Sequence, residues 1–126
     1  MAAKDVIHDK VNCAMDTLTK QRTLIKKSLS DYAQVANKFP DGVETHLLFD
    51  EHRDHYMAFR TGWWRKKRLH SAVIYVRLHN GKILIEEDWT EDGIATELLA
   101  AGVAKESIIL AFHHPTLRSY SEFAVA

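Results

Sequence analysis

Hydrophobic positions in the first third of the chain follow a helical period. From Asp5 to about Asn37 they recur at spacings of three, four and seven, with charged and amide side chains between them, and this period predicts an amphipathic helix. No Pro or Gly precedes Pro40, and the segment 39–42, Phe-Pro-Asp-Gly, predicts the end of the helix and a turn. The apolar stripe of the predicted helix consists of Ile7, Val11, Ala14, Leu18, Ile25, Leu29, Tyr32 and Ala36.

Beyond Gly42 the hydrophobic period changes to two. Residues 43–49 alternate between the two faces of a predicted strand, and the polar segment 51–54 predicts a turn. Three further extended runs follow, and Asn80-Gly81 separates the last two of them. Because both residues accept positive φ, Asn-Gly between β-rich segments favours a tight hairpin. The three runs are residues 55–64, 69–79 and 82–87, and the basic residues 65–68 connect the first to the second.

The last third predicts a short helix and a fifth strand. Thr90 is placed as the N-cap of a helix of about three turns that ends at Gly102. Residues 108–112 form an apolar run of strand length, which Pro115 prevents from extending far. The closing residues 123–126 are apolar and are expected to pack against the domain.

These elements predict one α+β domain over residues 1–126, in which residues 1–16 are an N-terminal extension of the long helix. The expected order is a long N-terminal helix, a four-stranded antiparallel meander, a short helix and a fifth strand, with the helices packed on one sheet face. A mixed sheet is the alternative, since a strand that follows a crossover helix can pair in parallel.

Composition narrows the location and the range of partners. Lys plus Arg and Asp plus Glu both number 17, so the overall charge gives no reason to expect strong nonspecific attraction to nucleic acid or anionic lipid. Cys13 is the single cysteine, and no Cys or His pairs have zinc-finger spacing. We therefore expect a cytoplasmic protein with neither a signal peptide nor a membrane span.

The strongest signal for nucleic-acid binding is a short aromatic and basic run. Aromatic rings followed by consecutive positive charges are typical of segments that bind along a phosphate backbone. The alternative is a solvated turn whose charges prevent edge pairing of the sheet. The candidate nucleic-acid or partner contact consists of Trp63, Trp64, Arg65, Lys66, Lys67 and Arg68.

Two acidic clusters raise the alternative of a metal-dependent hydrolase or nuclease. The segment from Asp50 to His55 matches neither the spacing of a calcium loop nor a helical zinc pair, which favours a solvated turn. The segment from Glu86 to Asp88 could hold a divalent ion, but the lysine that accompanies such sites is missing. His113-His114 has no nucleophile in a recognisable setting. We therefore expect no catalytic residue, no cofactor and no metal site.

Several short elements, taken together, resemble the XisI family, the fdxN element excision controlling factors. The order and spacing match from about Thr17 to Ala126, although Trp89 and Asn80 occupy places where the family more often has a small residue and Asp. The elements are Leu-Phe-Asp at 48–50, Arg-Asp-His-Tyr at 53–56, Gly-Trp at 62–63, Gly-Lys-Ile at 81–83, Asp88, Thr-Glu at 90–91, Gly-Ile-Ala at 93–95, Glu-Leu at 97–98, Gly-Val at 102–103, Phe-His at 112–113, Pro115 and Glu-Phe-Ala-Val-Ala at 122–126.

The resemblance implies a non-catalytic accessory factor that assists excision of a DNA element during heterocyst development in cyanobacteria. It implies a site-specific recombinase and a XisH-like protein of nuclease fold as partners, with any phosphodiester chemistry in that partner. It brings no catalytic residue to this chain. An accessory regulator and a cryptic hydrolase therefore remain the two functional classes.

The length of the predicted helix suggests an oligomer. About 32 residues span about 48 Å, whereas a compact chain of this length has a diameter of roughly 35 Å. The stripe positions Ile7, Val11, Ala14 and Leu18 continue into the overhang and are the candidate oligomer contact. We expect a homodimer or a docked partner there, the alternative being that the first two turns fray.

Overall fold

The computed structural model describes residues 2–39 and 41–125, and the side chains of residues 17–39, 41–119 and 121–125. The chain folds as a long helix α1 (Ala2–Ala36), strands β1 (Val43–Asp50), β2 (His55–Trp64), β3 (Lys67–His79) and β4 (Lys82–Asp88), a short helix α2 (Ile94–Ala100) and strand β5 (Ile108–Leu110). Two 3-10 turns, Lys105–Ser107 and Pro115–Tyr120, flank β5. The described helices contain no apolar stretch of the length needed to span a bilayer.

The five strands form one sheet in which the spatial order is the chain order, β1-β2-β3-β4-β5. The first four strands are antiparallel and β5 pairs in parallel with β4, so the predicted meander is confirmed and the sheet is mixed. The Asn-Gly hairpin is also confirmed: Asn80 and Gly81 have φ values of 51° and 75° between β3 and β4.

The core lies between α1, α2 and one face of the sheet. In the part of α1 whose side chains are described, every fourth residue from Gln21 is buried: Ile25 and Leu29 are fully buried, and Gln21 and Ala33 nearly so. The sheet contributes alternate residues, because successive side chains point to opposite faces, except at a bulge of β3 where Val73 and Ile74 are both buried. The members of this core cluster in the sheet and α2 are Tyr56, Ala58, Val73, Ile74, Val76, Leu78, Ile83, Ile85, Ile94, Leu98 and Ile108, and Ile109 of β5 is buried as well.

Two local predictions are wrong in detail. Helix α2 begins at Ile94 after Gly93, not after Thr90, and spans 7 residues. The reason is Asp88, whose carboxylate accepts hydrogen bonds from the Thr90 and Ile94 backbone N–H groups and so holds residues 89–93 in a loop. The connection between β2 and β3 is also shorter than predicted. It consists of Arg65 and Lys66, because Lys67 and Arg68 belong to β3.

The C-terminal segment packs against the sheet edge as expected. Ala124 forms a parallel bridge with Ile109, and its N–H donates to the Ile108 carbonyl at 2.9 Å. Phe123 packs against the core, whereas Val125 is exposed.

Candidate nucleic-acid interface

The aromatic and basic run forms the tip of the β2–β3 hairpin. Trp63 pairs with Arg68 and Trp64 with Lys67, while Arg65, at φ 57°, occupies the tight turn. The tip extends past the last pairs of both neighbouring strands, Val43–Gly62 on β1 and Ile74–Asp88 on β4. We call Trp63, Trp64, Arg65, Lys66, Lys67 and Arg68 the basic ribbon, and all six side chains are exposed.

Each tryptophan of the basic ribbon carries an arginine on its ring. The Arg68 guanidinium carbon lies 5.3 Å from the centroid of Trp63, and that of Arg65 lies 5.5 Å from Trp64. Because alternate residues of a strand face opposite ways, the ribbon presents one such pair on each face. The exposed fractions of Trp63 and Trp64 are 56% and 53%, which leaves ring surface for stacking.

The base of the basic ribbon is fixed by a close backbone approach. Gly62 has φ 152°, and a Cβ placed there would lie 2.1 Å from the Gly42 carbonyl oxygen and 2.7 Å from the Val43 Cα. The Trp63 N–H donates to the same Gly42 carbonyl at 3.0 Å. Only glycine fits this position, so strand β1 holds the ribbon at a defined point.

The acidic segment from Asp50 to His55 is a turn whose charges are used within the chain. Asp50 accepts hydrogen bonds from the backbone N–H groups of His52 and Arg53, and the Arg53 bond is the main reason that the pKa of Asp50 lies below its ordinary value. Glu51 forms an ion pair with Lys26 of α1. The His55 imidazole shares a hydrogen bond of 2.8 Å with the Tyr75 hydroxyl.

The strongest charge contact in this segment joins Asp54 to α1. Arg22 donates to both carboxylate oxygens of Asp54, at 2.8 and 3.0 Å, and the Tyr56 hydroxyl donates to the same carboxylate at 2.8 Å. The Arg22 hydrogen bond holds the pKa of Asp54 below its ordinary value despite partial burial. Burial, followed by the bond to Asp54, raises the pKa of Tyr56. This network supports the fold and leaves Asp54 engaged.

The acidic segment from Glu86 to Asp88 is likewise occupied by structural contacts. Glu86 accepts a hydrogen bond of 2.9 Å from Arg77 on β3. One oxygen of Asp88 accepts the Thr90 N–H and hydroxyl, and the other accepts the Ile94 N–H at 2.7 Å. Among the residues that the structure describes, no group of three His, Cys, Asp or Glu side chains is placed to hold a metal ion.

The His113-His114 pair divides into two local roles. The His114 ring nitrogen Nδ1 accepts the Thr116 N–H at 3.3 Å and caps the turn that begins at Pro115. His113 packs its ring against Phe112, with 4.6 Å between the ring centroids. The same His114 nitrogen shares a hydrogen bond of 2.8 Å with the Thr116 hydroxyl two residues on, which belongs to the cap of this exposed turn.

The candidate oligomer contact is only partly described. Ile7, Val11 and Ala14 belong to α1, but their side chains lie outside the described residues. Leu18 is half-buried and packs against the core of its own chain.

Two residues that join α1 to the sheet were missed from the sequence. Arg22 lies on the apolar stripe of α1, four residues after Leu18 and three before Ile25, and a charge at such a position signals a buried partner. Asn37, just beyond α1, binds the Thr45 backbone with its side-chain amide, donating to the carbonyl and accepting the N–H at 2.9 Å each. No sequence signal specifies that partner.

Comparison with known proteins gives one consistent result. The family described as "XisI protein" matches residues 15–125. The crystal structure of the fdxN element excision controlling factor XisI from Anabaena variabilis ATCC 29413 is similar with a TM-score of 0.77 and 43% identity, over 87% of this chain and 99% of that one. A XisI-like protein from the same organism is similar with a TM-score of 0.79 and 34% identity, over 86% and 99%. The chain has no match among curated proteins.

Proposed function

The chain belongs to the XisI family, and from this premise we propose that it is a non-catalytic accessory factor that acts on DNA rearrangement through the basic ribbon. The similar Anabaena protein is described as a controlling factor for excision, which supports a regulatory role. The engaged state of both acidic clusters supports a binding protein over a hydrolase, because a catalytic carboxylate must be available to a metal or a water.

The observation that carries the proposal is the geometry of the basic ribbon. Its cations, Arg65, Lys66, Lys67 and Arg68, lie on one projecting tip, and residues 63–71 include no acidic side chain. A net charge of zero over the whole chain then leaves this tip as a local positive site. Its exposed tryptophans add surfaces on which bases can stack.

The partners follow from the family and remain part of the proposal. We expect the factor to work in the cytoplasm beside a XisH-like protein of nuclease fold and a site-specific recombinase. In this arrangement the partner performs the phosphodiester chemistry, and this chain contacts the DNA and regulates the excision. Co-expression with the XisH-like protein, followed by affinity purification and mass spectrometry, tests the pairing directly.

Titration of labelled duplex DNA at several salt concentrations tests the ribbon. If its four cations contact phosphates, log affinity falls against log salt with a slope of about −3 to −4, at roughly 0.9 per phosphate. The double variant Lys66→Gln, Lys67→Gln should flatten the slope by about 1.8 on the same scale. Lys20→Gln, Lys105→Gln removes two exposed lysines away from the ribbon and serves as the matched control.

Equal loss of affinity in the two double variants would show that DNA does not bind preferentially at the basic ribbon. Undiminished binding by a ribbon with all four cations reversed, or no binding by wild type at low salt, would contradict the proposal. The variant Trp64→Ala adds a second readout, since loss of one stacked base weakens single-stranded binding by about 1–3 kcal/mol.

A further inference from the structure

Strand β1 is an outer strand of the sheet that the described residues form, and part of its free edge is already blocked. The Asn37 side-chain amide accepts a hydrogen bond from the Thr45 N–H and donates one to the Thr45 carbonyl. The Asp41 carboxylate accepts the Val43 N–H at 3.1 Å. These contacts show that the backbone groups of Val43 and Thr45 point away from β2. By the alternation of an antiparallel pair, Leu47 and Phe49 also point outward.

The outward groups of Leu47 and Phe49 are available for pairing. In the described part of the chain neither residue has a hydrogen bond beyond the sheet that β1 already belongs to. The side chains around them are apolar and open to solvent, with exposed fractions of 36% for Leu47, 55% for Leu48 and 37% for Phe49. Such an edge is a template for another strand.

We propose that the occupant is a second copy of this chain, which pairs β1 with β1 antiparallel around a two-fold axis at Leu48. In this register Leu47 of each copy exchanges both backbone hydrogen bonds with Phe49 of the other. The two sheets join into one, and an axis perpendicular to the sheet places both α1 helices on the same face. Leu48 meets Leu48 in the close, non-hydrogen-bonded type of pair.

The side chains are self-complementary in this register. Phe49 and Leu47 lie on the helix side of the sheet, opposite the buried Tyr56 and Ala58, so they form an apolar pair beside the core. Leu48 lies on the other side. It is flanked there by His46 and Asp50, and the register sets the His46 imidazole of one copy opposite the Asp50 carboxylate of the other. His46 also shares a hydrogen bond of 2.9 Å with Thr61, and Asp50 accepts the His52 and Arg53 N–H groups, so the pair across the axis adds to these contacts and does not replace them.

The length of the edge also matches a second copy. With Leu48 on the axis, Thr45 would lie opposite residue 51 of the other chain, and β1 ends at Asp50. Asn37 and Asp41 therefore bind the backbone of Thr45 and Val43, the two outward positions that a second copy leaves empty. A longer foreign strand would need Thr45 and would have to displace the Asn37 amide, which favours the self-pairing.

Disulfide trapping tests the register. In a Cys13→Ala background, Leu48→Cys should cross-link to a dimer under mild oxidation, because the paired Cα atoms lie about 4.5 Å apart, within the range of a disulfide. Leu47→Cys is the matched control, since the two copies of residue 47 are diagonal at about 7–8 Å. Equal cross-linking of both variants, or none at Leu48→Cys, would overturn the proposal.

Light scattering of uncross-linked protein supplies an independent measurement. Wild type should have twice the monomer mass, and Leu48→Lys should raise the dimer dissociation constant about tenfold or more, since two cations then face each other at the axis. Leu117→Lys, with 52% exposure at a remote turn, should remain dimeric. A wild-type monomer at all concentrations would reject the idea. So would a dimer that Val11→Asp abolishes and Leu48→Lys leaves intact, which would place the interface on α1.

Discussion

Arg22 binds Asp54 with two parallel hydrogen bonds, of 2.8 Å from Nε and 3.0 Å from Nη2, and so joins the long helix to the β1–β2 turn. The exposed fractions of the two side chains are 31% and 16%, so the pair is partly shielded from water. Asp54 itself has φ 58°, and its carbonyl accepts the Leu78 N–H at 3.1 Å. One residue thus connects the helix, the turn and the third strand.

Breaking this pair should destabilise the protein. Arg22→Leu leaves the Asp54 carboxylate without its main partner, and we expect the free energy of unfolding to fall by about 1–3 kcal/mol. Asp31→Asn, which removes the exposed Lys27–Asp31 pair of the same helix, should cost much less, because water screens that pair. Urea denaturation measures both. Equal costs for the two variants would show that the Arg22 pair contributes no more than a surface contact.

The same pair predicts a loss of stability in acid. The pKa of Asp54 is lower in the folded chain than in the unfolded one because of Arg22, so the folded state holds the proton less tightly. The stabilisation is therefore complete well above the unfolded pKa of about 3.9, and it is lost as pH falls toward the folded pKa. Asp54→Asn should flatten the decline below about pH 4. If the free energy of unfolding of Asp54→Asn falls with pH as steeply as that of wild type, the acid sensitivity comes from other carboxylates, including Asp50.

Gly62 and Gly81 offer a matched pair of substitutions. A Cβ at Gly62 overlaps the Gly42 carbonyl, whereas a Cβ at Gly81 meets nothing within 4 Å. Gly81→Ala should cost about 1–2 kcal/mol, the cost of positive φ. Gly62→Ala should cost about 3 kcal/mol or more, because backbone must move. Thermal denaturation followed by circular dichroism compares them. A Gly62→Ala variant as stable as Gly81→Ala would contradict the close approach at the base of the basic ribbon.

Asp88 and Glu86 distinguish a structural from a catalytic role for the acidic segment. Asp88→Ala removes the hydrogen bonds to Thr90 and Ile94, and we expect a loss of about 1–2 kcal/mol in stability. We expect neither stoichiometric metal in chelator-free protein nor plasmid nicking with magnesium or manganese. Nicking by wild type that Glu86→Gln abolishes, with the fold intact by circular dichroism, would establish the hydrolase instead.

The elements that the sequence predicted correctly are those set by the hydrophobic period and by the residues of a local turn. The stripe through Ile25 and Leu29 located α1, and Asn80-Gly81 fixed the hairpin because its φ requirement is local. The predicted start of α2 was wrong because the true start depends on Asp88, whose carboxylate accepts the N–H of Ile94 six residues later. The partners of Arg22 and Asn37 are set by tertiary distance, which a single sequence does not contain.

The order of the strands in space has a consequence for the speed of folding. Because every strand lies beside the next one in the chain, β1 to β4 can form by successive hairpin closures that each bring together residues close in sequence. The parallel pairing of β5 with β4 must wait for the intervening segment that contains α2, and the Ile109–Ala124 bridge must wait for β5. We therefore expect the meander, with α1 laid on it, to be the early part of the folding pathway and the β5 edge to be the last part to close.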